Sequence, residues 1–308
     1  MGASLSNLNL RDKNYLAAFA HIASFIALVS AYRQWGKTDL VTADLFRNKL
    51  PNSEQLDDPL ANSDGVVSTM PQNEEEAKCK VKVPLGPPKK VTSFNKIYLV
   101  LLFFAVTAGF HLFYAQSPQY PKLIREGWNP YRWLEYGISA SFMAVLIGNS
   151  LGVFDAWLLF VFVLVNVAMQ TCGFIVESNL RNSAETNWNT VKGATFAGWL
   201  LLMAIWIPSL ASLKNLSDDF QQYETMEPVK IPNFVYFILA VQILNFSSFG
   251  FIQLLQIRDA ANAEKGMKTF FKSYENVESA YITLSFAGKL ALASGLGYGL
   301  LFRTKDCP

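Results

Sequence analysis

Charge is scarce in this chain. Only 16% of its 308 residues are charged, while 51% are hydrophobic and 14% aromatic; a typical soluble domain has about 25% charged residues. That is the composition of a membrane protein. The net charge of +2 excludes the strongly basic footprint of a nucleic-acid partner. Histidine occurs only at His21 and His111, and a catalytic zinc usually takes three protein ligands, often several of them histidines. A zinc-dependent membrane hydrolase is therefore short of ligands, and neither a metal site nor enzymatic turnover is expected. No internal repeat organises the sequence.

What is abundant is long apolar runs. Seven segments reach the roughly 20 residues needed to cross a hydrocarbon core: Tyr15 to Trp35, Ile97 to Ser117, Tyr131 to Leu151, Ala156 to Val176, Ala194 to Leu213, Phe234 to Leu255 and Ser279 to Phe302. None alternates polar and apolar positions, so each reads as a helix rather than a barrel strand. The expected fold is an all-α membrane protein, a seven-transmembrane-helix bundle forming one domain over residues 1–308. The first segment follows a short polar leader and is longer and more aromatic than a cleavable signal sequence, so it reads as an anchor. Asn129-Pro130 supplies a capping residue and first-turn proline at the third segment. The third and fourth segments are so close in sequence that they must be antiparallel neighbours. Pro208 should kink the fifth.

Residues 36–95 form the one large extramembrane connection. Asp39 to Leu50 has an amphipathic cast, the middle is acidic and turn-rich, and Lys78 to Lys90 alternates like an edge strand until prolines stop it. The loop is expected to be partly β or irregular, a surface cover rather than a catalytic domain.

Basic residues in short loops set orientation. The N-terminal side holds Arg11, Lys13, Lys122, Arg125, Arg181, Lys192, Arg258, Lys265, Lys268 and Lys272, against Lys214, Lys230, Arg303 and Lys305 opposite. Ten against four, leaving out the long loop, predicts a cytoplasmic N-terminus and an extracellular C-terminus. Cys172, inside the fourth segment, reads as a packing residue. Cys79 and Cys307 fall on one side, where a disulfide is permitted but not required.

Lys289 lies about ten residues into the seventh segment, too deep for one side chain to snorkel to the interface. Such a residue marks a functional site with a nearby partner. Counting rise per residue, Glu135, Ser285, His21 and His111 fall in the same layer as its amine. A desolvated amine can condense with a carbonyl compound to a Schiff base, whose protonated form needs a counter-ion such as Glu135. Tyr136, Ser139, Phe142, Met143, Asn166, Met169, Trp199, Trp206, Phe246 and Phe249 could line an apolar slot beside it.

These residues also carry a family likeness. Trp128-Asn-Pro-Tyr-Arg-Trp-Leu-Glu135-Tyr136, followed by Ser139-Ala-Ser-Phe-Met143, the Ser285-x-x-x-Lys289 motif and one histidine in each of the first two segments resemble the heliorhodopsins. The likeness extends over all seven segments and leaves out most of the long loop. It implies a rhodopsin-like bundle with an inverted, cytoplasmic N-terminus. It also implies all-trans retinal on Lys289, Glu135 as counter-ion, Ser285 near the Schiff base, a polar network with His21 and His111, and a homodimer. Ordinary pumps carry a second carboxylate about three turns beyond the first and another four residues before the lysine; Leu146 and Ser285 stand there. The family is regarded as slow, non-pumping light sensors, which implies a signalling partner. Glu177, Asp155, Asp218 and Asp219 keep open a rival, light-gated proton or ion conduction. A receptor without retinal is a third reading.

Overall fold

The computed structural model describes residues 8–35, 42–49, 86–181, 185–222, 231 and 233–297. In chain order they form α1 (Leu10–Trp35), β1 (Thr42–Lys49), β2 (Gly86–Asn95), α2 (Lys96–Gln116), α3 (Tyr120–Arg125), α4 (Pro130–Ser150), α5 (Ala156–Leu180), α6 (Trp188–Gln222), α7 (Asn233–Glu264) and α8 (Tyr274–Gly297). All but α3 are long helices. Five of them, α1, α2, α5, α6 and α7, are long and apolar enough to cross a membrane. The two that fall short, α4 and α8, are interrupted by Arg132, Glu135, Glu275, Glu278 and Lys289. The charges that lower their hydropathy are mostly buried ones.

Local chemistry sets the helix starts. Asn95 caps α2 by accepting from the amide of Ile97 at 2.9 Å, and Asp155 caps α5 by accepting from that of Leu158 at 2.8 Å. Asn129 occupies the cap position of α4 ahead of Pro130, but its side chain makes no cap hydrogen bond; it is turned instead to Glu278, described below. Helices α4 and α5 are neighbours joined through Gly152, whose φ of +92° suits glycine alone. Helix α6 runs on through Pro208, and the Ser209 hydroxyl donates to the Ile205 carbonyl at 2.8 Å.

Neighbouring helices close a ring, with α1 against α2, α2 against α4, α4 against α5, α5 against α6, α6 more sparsely against α7, α7 against α8 and α8 against α1. The core is aromatic and aliphatic, with Phe103, Phe104, Leu146, Ile147, Trp206 and Leu292 packed together. Outward positions are apolar too: Phe19, Phe196 and Leu244 are each more than 60% exposed, a surface that suits hydrocarbon and not water. Two close approaches depend on glycine. A Cβ on Gly288 would lie 2.0 Å from the Asn245 amide, and one on Gly173 would lie 2.2 Å from the Trp133 ring. Gly288 thus serves packing of α8 on α7 inside the bundle.

The long connection differs from expectation in detail. The segment read as amphipathic is a strand, and β1 pairs antiparallel with β2, Thr42 opposite Asn95. The second strand begins at Gly86 and contains the prolines expected to end it. They are tolerated because the pairing is irregular between Arg47 and Lys49, where no ladder donor is needed. Residues 78–85, Cys79, Cys307 and the expected end of the seventh segment at Phe302 lie outside the described residues.

Candidate functional site

Helix periodicity puts Ser285 one turn before Lys289 on the same face of α8. The Lys289 Nζ donates to Ser285 Oγ at 2.6 Å and lies 3.5 Å from Glu135 Oε1 on α4. Both ionisable groups are 2% exposed. An amine and a carboxylate this deep persist because each is the other's partner. The other Glu135 oxygen accepts from Tyr114 of α2 at 3.4 Å, and the ammonium sits 5.4 Å from the centre of the Tyr136 ring.

The amine opens on a cavity between the helices, where cofactor pockets of helix bundles lie. Of the residues expected to line a slot, Lys289, Ser285, Tyr136, Ser139, Met143, Met169, Trp199, Phe246 and Phe249 do so. Three stand back from it. Asn166 donates to the Tyr136 carbonyl at 3.3 Å and to Ser141 Oγ at 3.0 Å, so its amide is engaged in tying α5 to α4. Trp206 lies edge-on behind Phe246, with ring centres 6.0 Å apart. Phe142 packs against the core cluster. Trp133, Gln170, Thr195, Leu202 and Gln253 line the cavity without having been anticipated.

His21 and His111 are buried side by side, with ring centres 5.4 Å apart. His21 Nδ1 donates to the Ala17 carbonyl at 2.7 Å, an acceptor that fixes the ring's tautomer, and His111 Nδ1 lies 2.7 Å from Asn14 Oδ1. Neither ring bonds directly to Glu135 or Lys289; Phe286 of α8 packs edge-on against His21, ring centres 5.1 Å apart. Among the described residues no continuous hydrogen-bonded chain links the pair to the amine.

A second polar centre lies toward the start of α4. The buried Arg132 guanidinium forks between Glu177 of α5 and Glu278 of α8 and stacks 3.9 Å from the centre of the Tyr281 ring. Glu177 also accepts from Tyr274 at 2.5 Å and from the Trp133 indole at 2.7 Å. Glu278 accepts from Asn129 at 2.7 Å and from Tyr120 at 3.0 Å. Asn14 donates to the Tyr120 hydroxyl at 3.2 Å. Burial and the neighbouring Glu278 push the Tyr120 phenol well above its ordinary range, so it serves as a neutral donor. Glu177, read as a membrane-boundary carboxylate on a conducting route, is instead 1% exposed and ion-paired. Asp155 is a helix cap, Asp218 is exposed, and the side chain of Asp219 lies outside what is described. Glu278 was missed because the seventh segment was begun one residue after it. Its signal was there: eleven residues, about three turns, before Lys289, it lies on the lysine's face of the helix.

Apolar helices closed around a cavity that ends on a buried, carboxylate-paired lysine define a membrane protein of the rhodopsin class. A model of the heliorhodopsin family matches residues 63–299, well over half of the chain, and the chain belongs to that family. The match opens in the connection after α1, so α1 and His21 lie outside it, narrower than the likeness over all seven segments suggested. A comparison with curated proteins finds no match. Membership implies a retinal-binding rhodopsin photoreceptor.

Proposed function

We propose that this chain is a light sensor that carries all-trans retinal on Lys289, with Glu135 as counter-ion and seven helices crossing the membrane. The observation that carries the reading is the Lys289 amine, held by Ser285 at 2.6 Å and facing Glu135 at 3.5 Å, in the wall of a cavity rich in aromatic side chains. The residues fit the group. The aromatic and thioether walls, Met143, Met169, Trp199, Phe246 and Phe249, suit a long hydrocarbon. When bound as a protonated Schiff base, retinal supplies a visible chromophore and a bond that light isomerises.

The chain's own groups have separate tasks. Glu135 balances positive charge at Lys289 Nζ in a place water does not reach. Ser285 orients that nitrogen, and the Tyr114 hydroxyl limits the positions open to the carboxylate. Outward pumping is disfavoured because Leu146, fully buried, stands three turns beyond Glu135. The proposed orientation has the N-terminus in the cytoplasm, on the loop charge count. In this reading the protein is a receptor and not an enzyme, and it acts through a signalling partner.

Adding all-trans retinal to the expressed apoprotein tests the reading. A strong visible band is expected from wild type and none from Lys289→Ala. A folded wild type that stays colourless would sink the retinal assignment. Voltage clamp under illumination tests conduction: no photocurrent is expected, and a reproducible one would replace the sensor by a channel.

A further inference from the structure

One wall of the cavity, on helices other than the one that carries the amine, is polar. Helix α8, which carries Lys289, packs on α7 and α1, whereas α5 packs between α4 and α6. A ligand held at Lys289 that fills the cavity therefore also meets α5, α6 and the adjoining part of α7. There Gln170, Thr195 and Gln253 line the same space. Gln253 donates to the Gly173 carbonyl at 3.1 Å, and Gly173 follows Gln170 by about one turn of α5. Gly198 lies against Cys172, which sets Thr195 beside the same turn of α5.

The hydrogen bonds fix which way each group presents itself. The Gln253 amide nitrogen faces the Gly173 carbonyl, an acceptor only, so its Oε1 is the free end. Asn166 must offer its nitrogen to the Tyr136 carbonyl, so its Oδ1 is the acceptor for Gln170 Nε2 at 3.2 Å and Gln170 Oε1 is left over. Thr195 donates its hydroxyl to the Val191 carbonyl at 2.7 Å and keeps only acceptor capacity. Among the described residues no protein donor reaches any of these three oxygens. This wall thus offers three unpaired acceptors together with the second N–H of each glutamine amide, a poor match for a hydrocarbon ring and a good one for a hydroxyl, which both donates and accepts.

We infer that the cavity is built for a retinal whose ring carries a hydroxyl group, bonded by Gln170, Thr195 and Gln253. This rests on the retinal reading above and names the ligand class of that site.

Competition decides it. The full-length apoprotein in lipid nanodiscs is offered equal amounts of all-trans retinal and all-trans 3-hydroxyretinal. The bound aldehyde is then released with hydroxylamine and quantified by mass spectrometry, independently of any photochemistry. Enrichment of the hydroxylated aldehyde on the order of tenfold is expected, the size of one hydrogen bond to an otherwise unpaired acceptor. Gln170→Leu with Gln253→Leu should bring the ratio to about one or below. Should the double variant not fold, Gln253→Leu alone should lower the ratio. Equal uptake by wild type or unchanged enrichment in the variants would overturn the inference. Uptake of retinal alone would overturn it and leave the retinal reading intact; uptake of neither would overturn both.

Discussion

Glu135 is held by one amine and one phenol, so removing its charge leaves Lys289 Nζ with Ser285 as its remaining close partner. Glu135→Gln should therefore shift the visible band to the red, read directly in an absorption spectrum. An unchanged maximum would rule Glu135 out as counter-ion. The histidines make a different case, because they share the layer of the amine without bonding to it. If they form part of the proton network, His21→Phe with His111→Phe should alter the proton movements that follow a flash, measured with a pH-sensitive dye. An unaltered transient would reduce both rings to packing. Arg132→Met removes the cation from between two buried carboxylates and should cost about 3 to 5 kcal/mol of stability, as breaking one side of a buried ion pair does. Thermal denaturation in detergent checks it, and a shift within error would count against the fork.

Helices α7 and α8 meet so closely at Gly288 that Gly288→Val should be destabilising by about 1 to 3 kcal/mol or prevent pigment formation, measured by the same melting experiment. A variant as stable as wild type would contradict the packing. The helices themselves were legible because a run of 20 apolar residues admits few alternatives. The Lys289, Glu135 and Ser285 grouping was legible because rise per residue converts sequence position into depth. What could not be read was lateral position. Asn166 and Trp206 have the right depth and the wrong azimuth, while Gln170 and Gln253 looked like ordinary polar interruptions until the helices were set side by side. Arg132 lay inside the most distinctive string in the chain, yet its partners come from helices 45 and 146 positions away in sequence. The strands were misjudged for a related reason: β1 is defined by its partner, not by its own pattern.

The described helices present an apolar outer surface, and the buried charges are concentrated on α4 and α8, which is why five helices read as spans by composition and two do not. If all seven cross, an epitope at the N-terminus of intact cells should be reached by antibody only after permeabilisation, and one inserted between β1 and β2 should be reached without it. The reverse pattern would invert the proposed orientation. We also expect a homodimer, to be checked by cross-linking in native membranes; a monomer at all protein densities would remove that expectation. Finally, Arg132, Glu177, Glu278, Tyr120 and Asn14 bind α1, α3, α4, α5 and α8 together near one end, and His111 adds α2 through Asn14. Helices α6 and α7 contribute no charged group to that knot. Mechanically the molecule is a sheaf tied by charge at one end, with two stems held by uncharged contacts such as Tyr281 to Gln256, so a shape change after illumination is expected where α6 and α7 can shift, with the tied stems as the frame.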